Sequence, residues 1–329
     1  MTWSRRTFMG LTAGAAALPA TWSRACAQAY PSRPITMIVP FPAGGPTDTL
    51  ARVLAERMRP TLGQPVIIEN IGGAGGTLAT TRVARAAPDG HLICLGHWTT
   101  HVLNGAVFAL PYDVLHDFEP VAWLTDAPQW IVARKSHPAN NLHELVAWLK
   151  ANPDKGTAGA VGAVGSARVT GAYFQRGTGT TFQFVPYRGA APMIADLIAG
   201  QIDLTFTQLA GSLEQYREGK IKAFAVMARS RWWAAPDVPS VDETGLPGLH
   251  VSIWHALWLP KGAAKEIVAR LNAAVVEALA DQTVRQRLAD LGQEVVPRAQ
   301  QTPEALLTHH KAEIEKWWPI IKAAGIKAE

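Results

Sequence analysis

The sequence has few cysteines and none of the patterns that hold a metal ion. Of its 329 residues two are cysteine, Cys26 and Cys94. Cys26 falls in a predicted leader segment, so Cys94 would remain alone and could form no internal disulfide. Its setting in "HLICLGH" is typical of a small buried apolar side chain. No C-x-x-C or H-E-x-x-H motif occurs, and His91, His97 and His101 match no zinc spacing, so we predict no metal site.

The sequence is also poor in charge. Charged residues make up 17% of the chain, and the formal net charge is +5. No run of basic residues occurs, which argues against nucleic-acid binding. No apolar segment has the roughly 18–20 residues needed to cross a bilayer. These absences predict a globular protein that binds no nucleic acid and does not enter the membrane.

Motifs of nucleotide binding and of catalysis are missing as well. There is no G-x-x-x-x-G-K-[ST] loop, and the glycines do not fit G-x-G-x-x-G in register. The segment "GGAGGT" (72–77) comes nearest to a dinucleotide loop, but no acidic strand end follows at the required distance. Packing of a helix against a strand is the simpler interpretation of that segment. Ser166 lacks the G-x-S-x-G elbow of a hydrolase. We predict no cofactor and no catalytic residue.

Residues 1–29 are typical of an export signal. Arg5 and Arg6 form its charged start, residues 8–18 its apolar middle, and Ala27-Gln28-Ala29 a small-residue cleavage site. The segment "SRRTFM" also has the twin-arginine pattern, so export by the twin-arginine or the general secretory route stays open. The sequence therefore predicts a periplasmic protein that is cleaved near Ala29.

Apolar runs and amphipathic segments alternate along the rest of the chain. "ITMIVPF" (35–41), "PVIIEN" (65–70) and "HLICLGH" (91–97) read as buried strands, and helical spacing follows the first two. The pattern restarts near Gln129 with "WIVARK" and a second set of strands and helices. Such alternation predicts an α/β fold with parallel strands covered by helices, built from two units of similar plan.

Each unit contains a glycine-rich loop that opens a helix. The first is "VPFPAGGPTD" (39–48), where Thr47 or Asp48 is placed to cap the helix, and the second is "GAVGAVGSAR" (159–168). The first N–H groups of a helix have no partner within it, and the helix dipole adds partial positive charge there. Such a site suits a carboxylate or phosphate. A simple tight turn remains the alternative interpretation.

Longer stretches of the sequence resemble a known family. "YPSRPITMIVPFPAGGPTDTLARVLAERM", "ENIGGAGGT", "LPYD", "VPYRGAAPMIADLIAGQIDL", "PDVPSVDETGLPG" and "WHALWLPKG" occur in the order found in the Bug family. These proteins are periplasmic receptors of tripartite tricarboxylate transporters. The resemblance extends over essentially all of the chain after residue 29.

The resemblance implies a type II periplasmic binding protein fold, with two α/β lobes joined by two hinge strands and a ligand cleft between them. Lobe 1 would comprise residues 30–130 and 251–329, and lobe 2 residues 131–250. It also implies a monomer that captures a small mono- or dicarboxylate for membrane transporter subunits and performs no chemistry. An exported α/β enzyme, either a cofactor-dependent oxidoreductase or a hydrolase, is the competing hypothesis for the same kind of ligand.

The family's binding residues can be carried over onto matching positions. The ligand carboxylate would lie between the two glycine-rich loops, with Thr99 to Asn104 and the adjacent Trp98 at the other end of the cleft. Two positions depart from the family pattern: Arg168 stands where a histidine is common, and Thr207 where an acid is common. Two alternatives are open for Arg168: it grips a second acidic group of the ligand, or it points outward to solvent or to a surface acid. The expected ligand-binding residues are Phe41, Ala43, Gly44, Gly45, Thr47, Asp48, Trp98, Thr99, Asn104, Gly162, Ala163, Gly165, Ser166, Arg168, Tyr187 and Thr207.

Overall fold

The structure is a computed structural model that describes residues 30–162 and 165–327. Strands and helices alternate over most of this length. The strands are β1 (Ile35–Val39), β2 (Val66–Asn70), β3 (Leu92–His97), β4 (Phe118–Arg134), β5 (Thr157–Val161), β6 (Gln183–Tyr187), β7 (Leu204–Gln208), β8 (Ile221–Val226), β9 (Ser252–Pro260) and β10 (Glu294–Val295). The α-helices are α1 (Pro46–Leu62), α2 (Thr77–Ala84), α3 (Asn104–Val107), α4 (Leu142–Ala151), α5 (Ser166–Thr178), α6 (Ala190–Ala199), α7 (Leu213–Arg217), α8 (Lys265–Ala280), α9 (Gln282–Asp290) and α10 (Pro303–Ala323).

The first lobe is built on strands β2, β1, β3, β9 and β4, in that order, with β10 beside β4. β1 pairs in parallel with β2 and β3, as its continuous apolar sequence predicts, whereas β9 runs antiparallel to β3 and β4. Helices α1 and α8 cover one face of this sheet, where Leu54 and Leu271 are fully buried against Met37. Burial on both faces explains why β1 shows no apolar–polar alternation.

The second lobe repeats this plan. β5 pairs in parallel with β6 and β7, and β7 and β8 both pair antiparallel to the second half of β4. Helices α4 and α5 pack on one face around Phe174 and Phe206, and α6 packs on the other through Met193 and Leu197. The two lobes are therefore layered units of similar plan that share one long strand.

Two stretches of chain connect the lobes. β4 is the first, since its 17 residues pair with β9 in one lobe and with β7 and β8 in the other. The second is the approach to β9, where Val251 N–H donates to the Met227 carbonyl and Gln129 N–H donates to the Val251 carbonyl. The predicted architecture of two α/β lobes joined by two hinge strands is confirmed. The predicted lobe boundaries at residues 130/131 and 250/251 stay a prediction.

The start of α1 differs from the prediction. The helix begins at Pro46 with Gly45 as its N-cap, so neither Thr47 nor Asp48 caps it. Proline suits the first helical position because that residue's N–H would have no helical partner. Thr47 and Asp48 lie inside the first turn, and their side chains are free for contacts beyond the helix.

Candidate functional site

A cavity of about 770 Å³ lies between the lobes. Among the described residues, those that line the cavity belong to six segments, at 40–47, 72–76, 97–99, 161–167, 186–193 and 206–208. Each segment lies at the carboxyl end of a strand or at the start of the helix that follows. Ligands of open α/β sheets bind at such edges, and the volume is that of a small-molecule site.

The first glycine-rich loop forms one wall. Gly44 adopts φ 83°, a left-handed conformation that glycine reaches without steric cost, and its N–H donates to Asp48 Oδ2 at 2.9 Å. This turn brings the start of α1 to the cavity, where Gly45 and Thr47 contribute to the lining. The first-turn N–H groups of α1, which have no partner within the helix, are therefore located beside the cavity.

Asp48 supports this loop from the side away from the cavity. Its carboxylate accepts hydrogen bonds from Arg52 and Asn70 as well as from Gly44. Burial raises the pKa of Asp48, but the bonds from Arg52, Gly44 and Asn70 together outweigh burial and hold the pKa below its usual value. Asp48 is thus an anion that is already paired, and Arg52 offsets its charge next to the cavity.

The second glycine-rich loop forms the facing wall. Gly162 adopts φ 71°, and its N–H donates to the Tyr187 carbonyl at 2.8 Å. Gly165 is the N-cap of α5, and a Cβ there would lie 2.0 Å from the Val161 carbonyl oxygen. No other residue fits at Gly165, so the close return of the chain onto β5 requires glycine. This return places Ser166, the first residue of α5, on the cavity wall.

A third glycine-rich segment, residues 72–76, also lines the cavity. Helix–strand packing is the simpler interpretation of its sequence, which does not predict that it forms a wall of the cavity. Asn104 is fully buried and donates from Nδ2 to the Gly75 carbonyl at 3.0 Å. Asn104 therefore holds this wall in place from behind.

The ends of β3 and β7 form the base of the cavity. His97 and Thr99 come from the first lobe, and Thr207 and Gln208 from the second. All four are at least nine-tenths buried. Burial lowers the pKa of His97 well below its usual value, and the neighbouring His255 and His101 lower it further. The base therefore presents neutral polar groups at pH 7.

Arg188 supplies the charge of the site. It lies between β6 and α6, is exposed, and is the one permanently charged group among the described residues that line the cavity. No carboxylate occurs among those lining residues. The residues expected from the family resemblance include Tyr187 but not its neighbour Arg188. The position of Arg188, directly after an apolar strand and before a helix, was the available signal.

Most of the expected binding residues line this one cavity, although they are far apart in sequence. Ala163 lies outside the described residues. Those that line the cavity are Phe41, Ala43, Gly45, Thr47, Thr99, Gly162, Gly165, Ser166, Tyr187 and Thr207.

Gly44, Asp48, Trp98, Asn104 and Arg168 do not line it. Gly44 and Asp48 bond to each other behind the first loop, and Asn104 supports the third wall, as described above. Trp98 is fully buried and packs edge-on against Trp317, with ring centroids 4.8 Å apart. Hydrogen bonds therefore hold Asp48 and Asn104 behind the walls, and packing in the core holds Trp98 there.

Arg168 is in the first turn of α5, as predicted, but does not contribute to the lining. Its guanidinium carbon lies 5.3 Å from the centroid of the Phe184 ring, in cation–π geometry. The structure therefore gives no support for a grip of Arg168 on a second acidic group, because its side chain lies against the lobe 2 sheet and not in the cavity.

The variant Arg168→Ala should leave ligand affinity unchanged. It should also alter stability by less than about 1 kcal/mol, since loss of the ring contact is offset by removal of a positive charge from a helix N-terminus. Isothermal titration calorimetry and thermal unfolding of the variant measure both effects. A tenfold loss of affinity would contradict this prediction and show that Arg168 contributes to ligand binding.

The chemistry of this arrangement is that of anion binding. The starts of α1, α5 and α6 come from both lobes and meet at the cavity with Arg188. Among the described residues, no group of three or more His, Cys, Asp or Glu side chains could hold a metal ion, and no helix could span a membrane.

Comparisons with known proteins agree with this chemistry. A model of the tripartite tricarboxylate transporter family receptor matches residues 50–326. BugT of Bordetella pertussis is 35% identical over 304 residues, which cover 92% of this chain and 92% of BugT. The periplasmic binding protein BugD has a TM-score of 0.86 at 41% identity, over 91% of this chain and 100% of BugD.

Two further solved structures contain a ligand. MatC of Rhodopseudomonas palustris, with bound malate, has a TM-score of 0.85 at 41% identity and covers 89% of this chain and 100% of its own. R. palustris Rpa4515 with adipate has a TM-score of 0.86 at 31% identity, over 91% of this chain and 100% of its own.

These relatives are binding receptors and not enzymes, which confirms the predicted absence of enzymatic function and sets aside the exported enzyme. The chain belongs to the Bug family, the periplasmic solute-binding receptors of tripartite tricarboxylate transporters.

Proposed function

We propose that this receptor captures a small dicarboxylate in the cavity between its lobes. The observation that carries the proposal is the charge pattern of the cavity. Unpaired helix N-termini from opposite lobes and one free guanidinium surround a space whose described lining contains no carboxylate. An anion entering this space gains hydrogen bonds from both lobes, whereas a cation meets the positive ends of the helices and Arg188.

A ligand with two acidic groups fits better than one with a single group. Helix N-termini bind one carboxylate through backbone N–H groups, and a guanidinium binds a second through paired hydrogen bonds. MatC with malate and Rpa4515 with adipate are relatives whose ligands have two carboxylates. In this assignment the glycine-rich loops hold the first carboxylate, and Arg188 holds the second.

The receptor would work as a periplasmic monomer that passes its ligand to tripartite tricarboxylate-type membrane subunits. Membership of the family supports this partner. Residues 1–29, which lie outside the described residues, would direct export and be removed by cleavage near Ala29. Loss of periplasmic protein after Arg5→Lys with Arg6→Lys would assign export to the twin-arginine route.

A thermal-shift screen against mono-, di- and tricarboxylates tests the proposed ligand class. A ligand at 100 times its dissociation constant stabilises the folded protein by about 2.7 kcal/mol. We expect C4–C6 dicarboxylates to raise the unfolding midpoint, and their diamides, which have the same length and no charge, to leave it unchanged. Stabilisation by the diamides, or by no dicarboxylate, would contradict the proposal.

A further inference from the structure

His97 and Gln208 meet across the base of the cavity. His97 ends β3 in the first lobe, and Gln208 ends β7 in the second. The His97 Nε2 atom and the amide nitrogen position of Gln208 are 3.1 Å apart, a hydrogen-bond distance between the lobes. Both side chains are more than nine-tenths buried, and both contribute to the cavity lining. Which atom donates decides what Gln208 presents to a ligand.

The position of the proton on His97 follows from its other neighbour. The backbone N–H of Thr99 donates to His97 Nδ1 at 3.0 Å. A backbone N–H can only donate, so Nδ1 carries no proton. Burial keeps the ring neutral at pH 7 by lowering the pKa of His97. A neutral imidazole has one N–H, and it must therefore be at Nε2.

This proton fixes the orientation of the Gln208 amide. Two N–H donors cannot face each other at 3.1 Å. The amide oxygen and nitrogen of glutamine are nearly equal in size, so their hydrogen-bond partners decide which atom occupies which position. The oxygen of Gln208 must therefore accept from His97 Nε2–H. This orientation exchanges the oxygen and nitrogen of the amide. Among the described residues no donor bonds to the amide on the side away from His97, so the exchange breaks no hydrogen bond. The amide NH2 group then turns away from His97 toward the cavity that Gln208 lines.

We propose that Gln208 is a specificity-determining residue that donates its amide N–H to the bound ligand, and that His97 holds it in this orientation. The inference rests on the proposed dicarboxylate function and refines its ligand class. With Gln208 as a donor, the base of the cavity selects an oxygen acceptor, either a carboxylate or a keto oxygen. A ligand with an ammonium or amide N–H at that point would leave two donors in contact.

The variant Gln208→Glu distinguishes the two orientations. A glutamate can still accept from His97 Nε2–H, but it presents an anionic oxygen to the ligand in place of an N–H donor. We expect succinate affinity at pH 7.5 to fall roughly 100-fold for Gln208→Glu and roughly 10-fold for Gln208→Met, measured by calorimetry. Gln282→Glu, at an exposed position on α9, is the matched control for the added charge and should bind like the wild type. Wild-type affinity in Gln208→Glu would mean that an oxygen already faces the ligand, and would overturn the proposal.

A second measurement needs no ligand. Long-range proton–nitrogen correlation of the labelled imidazole rings reports which nitrogen of His97 carries the proton. We expect an unprotonated Nδ1 and a protonated Nε2, and a proton on Nδ1 would overturn the orienting role of His97. If wild-type protein binds no dicarboxylate, the proposed function and the ligand-binding role of Gln208 both fail. If the wild type binds and Gln208→Met binds equally well, the role of Gln208 alone fails.

Discussion

Replacing Gly45 with valine should abolish dicarboxylate binding and leave the fold intact. Gly45 has φ −88° and ψ 172°, an extended conformation that any residue can adopt. Among the described residues, a Cβ at Gly45 would meet just the Pro42 carbonyl oxygen within 4 Å, at 3.8 Å, which is ordinary contact. The valine methyl groups would therefore occupy space at the start of α1 without straining the loop. Because the carboxylate must approach the backbone there, we expect at least a 100-fold loss of affinity, or about 2.7 kcal/mol.

Gly45→Ala is the matched variant at the same position. It adds one carbon atom in the same backbone conformation and should weaken binding by a smaller factor. Calorimetry with the wild-type ligand gives the affinities, and thermal unfolding without ligand checks that all three proteins are folded at the temperature of the titration. If Gly45→Val binds the ligand as tightly as the wild type, the first loop is not part of the binding site.

Replacing Arg188 with alanine should separate dicarboxylates from monocarboxylates. A hydrogen bond to a charged group contributes about 1.5–3 kcal/mol, so the loss of the guanidinium should weaken succinate binding roughly 10- to 150-fold. Butyrate, which has the same chain length and one carboxylate, should lose little. Arg188→Lys should fall between the two, since an ammonium group retains the charge and loses the paired geometry.

Arg168→Ala is the matched control for Arg188→Ala. Both arginines belong to the second lobe, and Arg168 lies against Phe184, outside the described cavity lining. Titrations of succinate and butyrate into both variants give the comparison. Equal weakening of the two ligands by Arg188→Ala would mean that Arg188 acts through general charge or through the fold, and not on a second carboxylate.

The sequence predicted the parts of the site that local chemistry determines. The two glycine-rich loops were recognised because glycine next to a helix start lets an anion approach the backbone N–H groups, and Gly45, Gly165 and Ser166 line the cavity. The strands β1 and β3 were recognised from continuous apolar runs. In each case the signal lies within about ten consecutive residues.

The missed residues depend on contacts between distant segments. His97 and Gln208 are 111 residues apart, and they meet because the two sheets turn their strand ends toward each other. Arg168 was placed in the correct helical turn, but the Phe184 ring on a neighbouring strand determines where its side chain lies. Asp48 and Asn104 are close to the site in sequence, and their bonds to Gly44 and Gly75 turn them to the rear of the walls.

A crystal structure of the protein with its best dicarboxylate tests the central claim most directly. We predict that one carboxylate lies within hydrogen-bond distance, about 2.7–3.2 Å, of first-turn backbone N–H groups of both α1 and α5, directly or through one water molecule. The second carboxylate should contact Arg188, and the Gln208 amide should face the ligand. Ligand density outside the cavity, or a carboxylate that touches one lobe alone, would contradict the account.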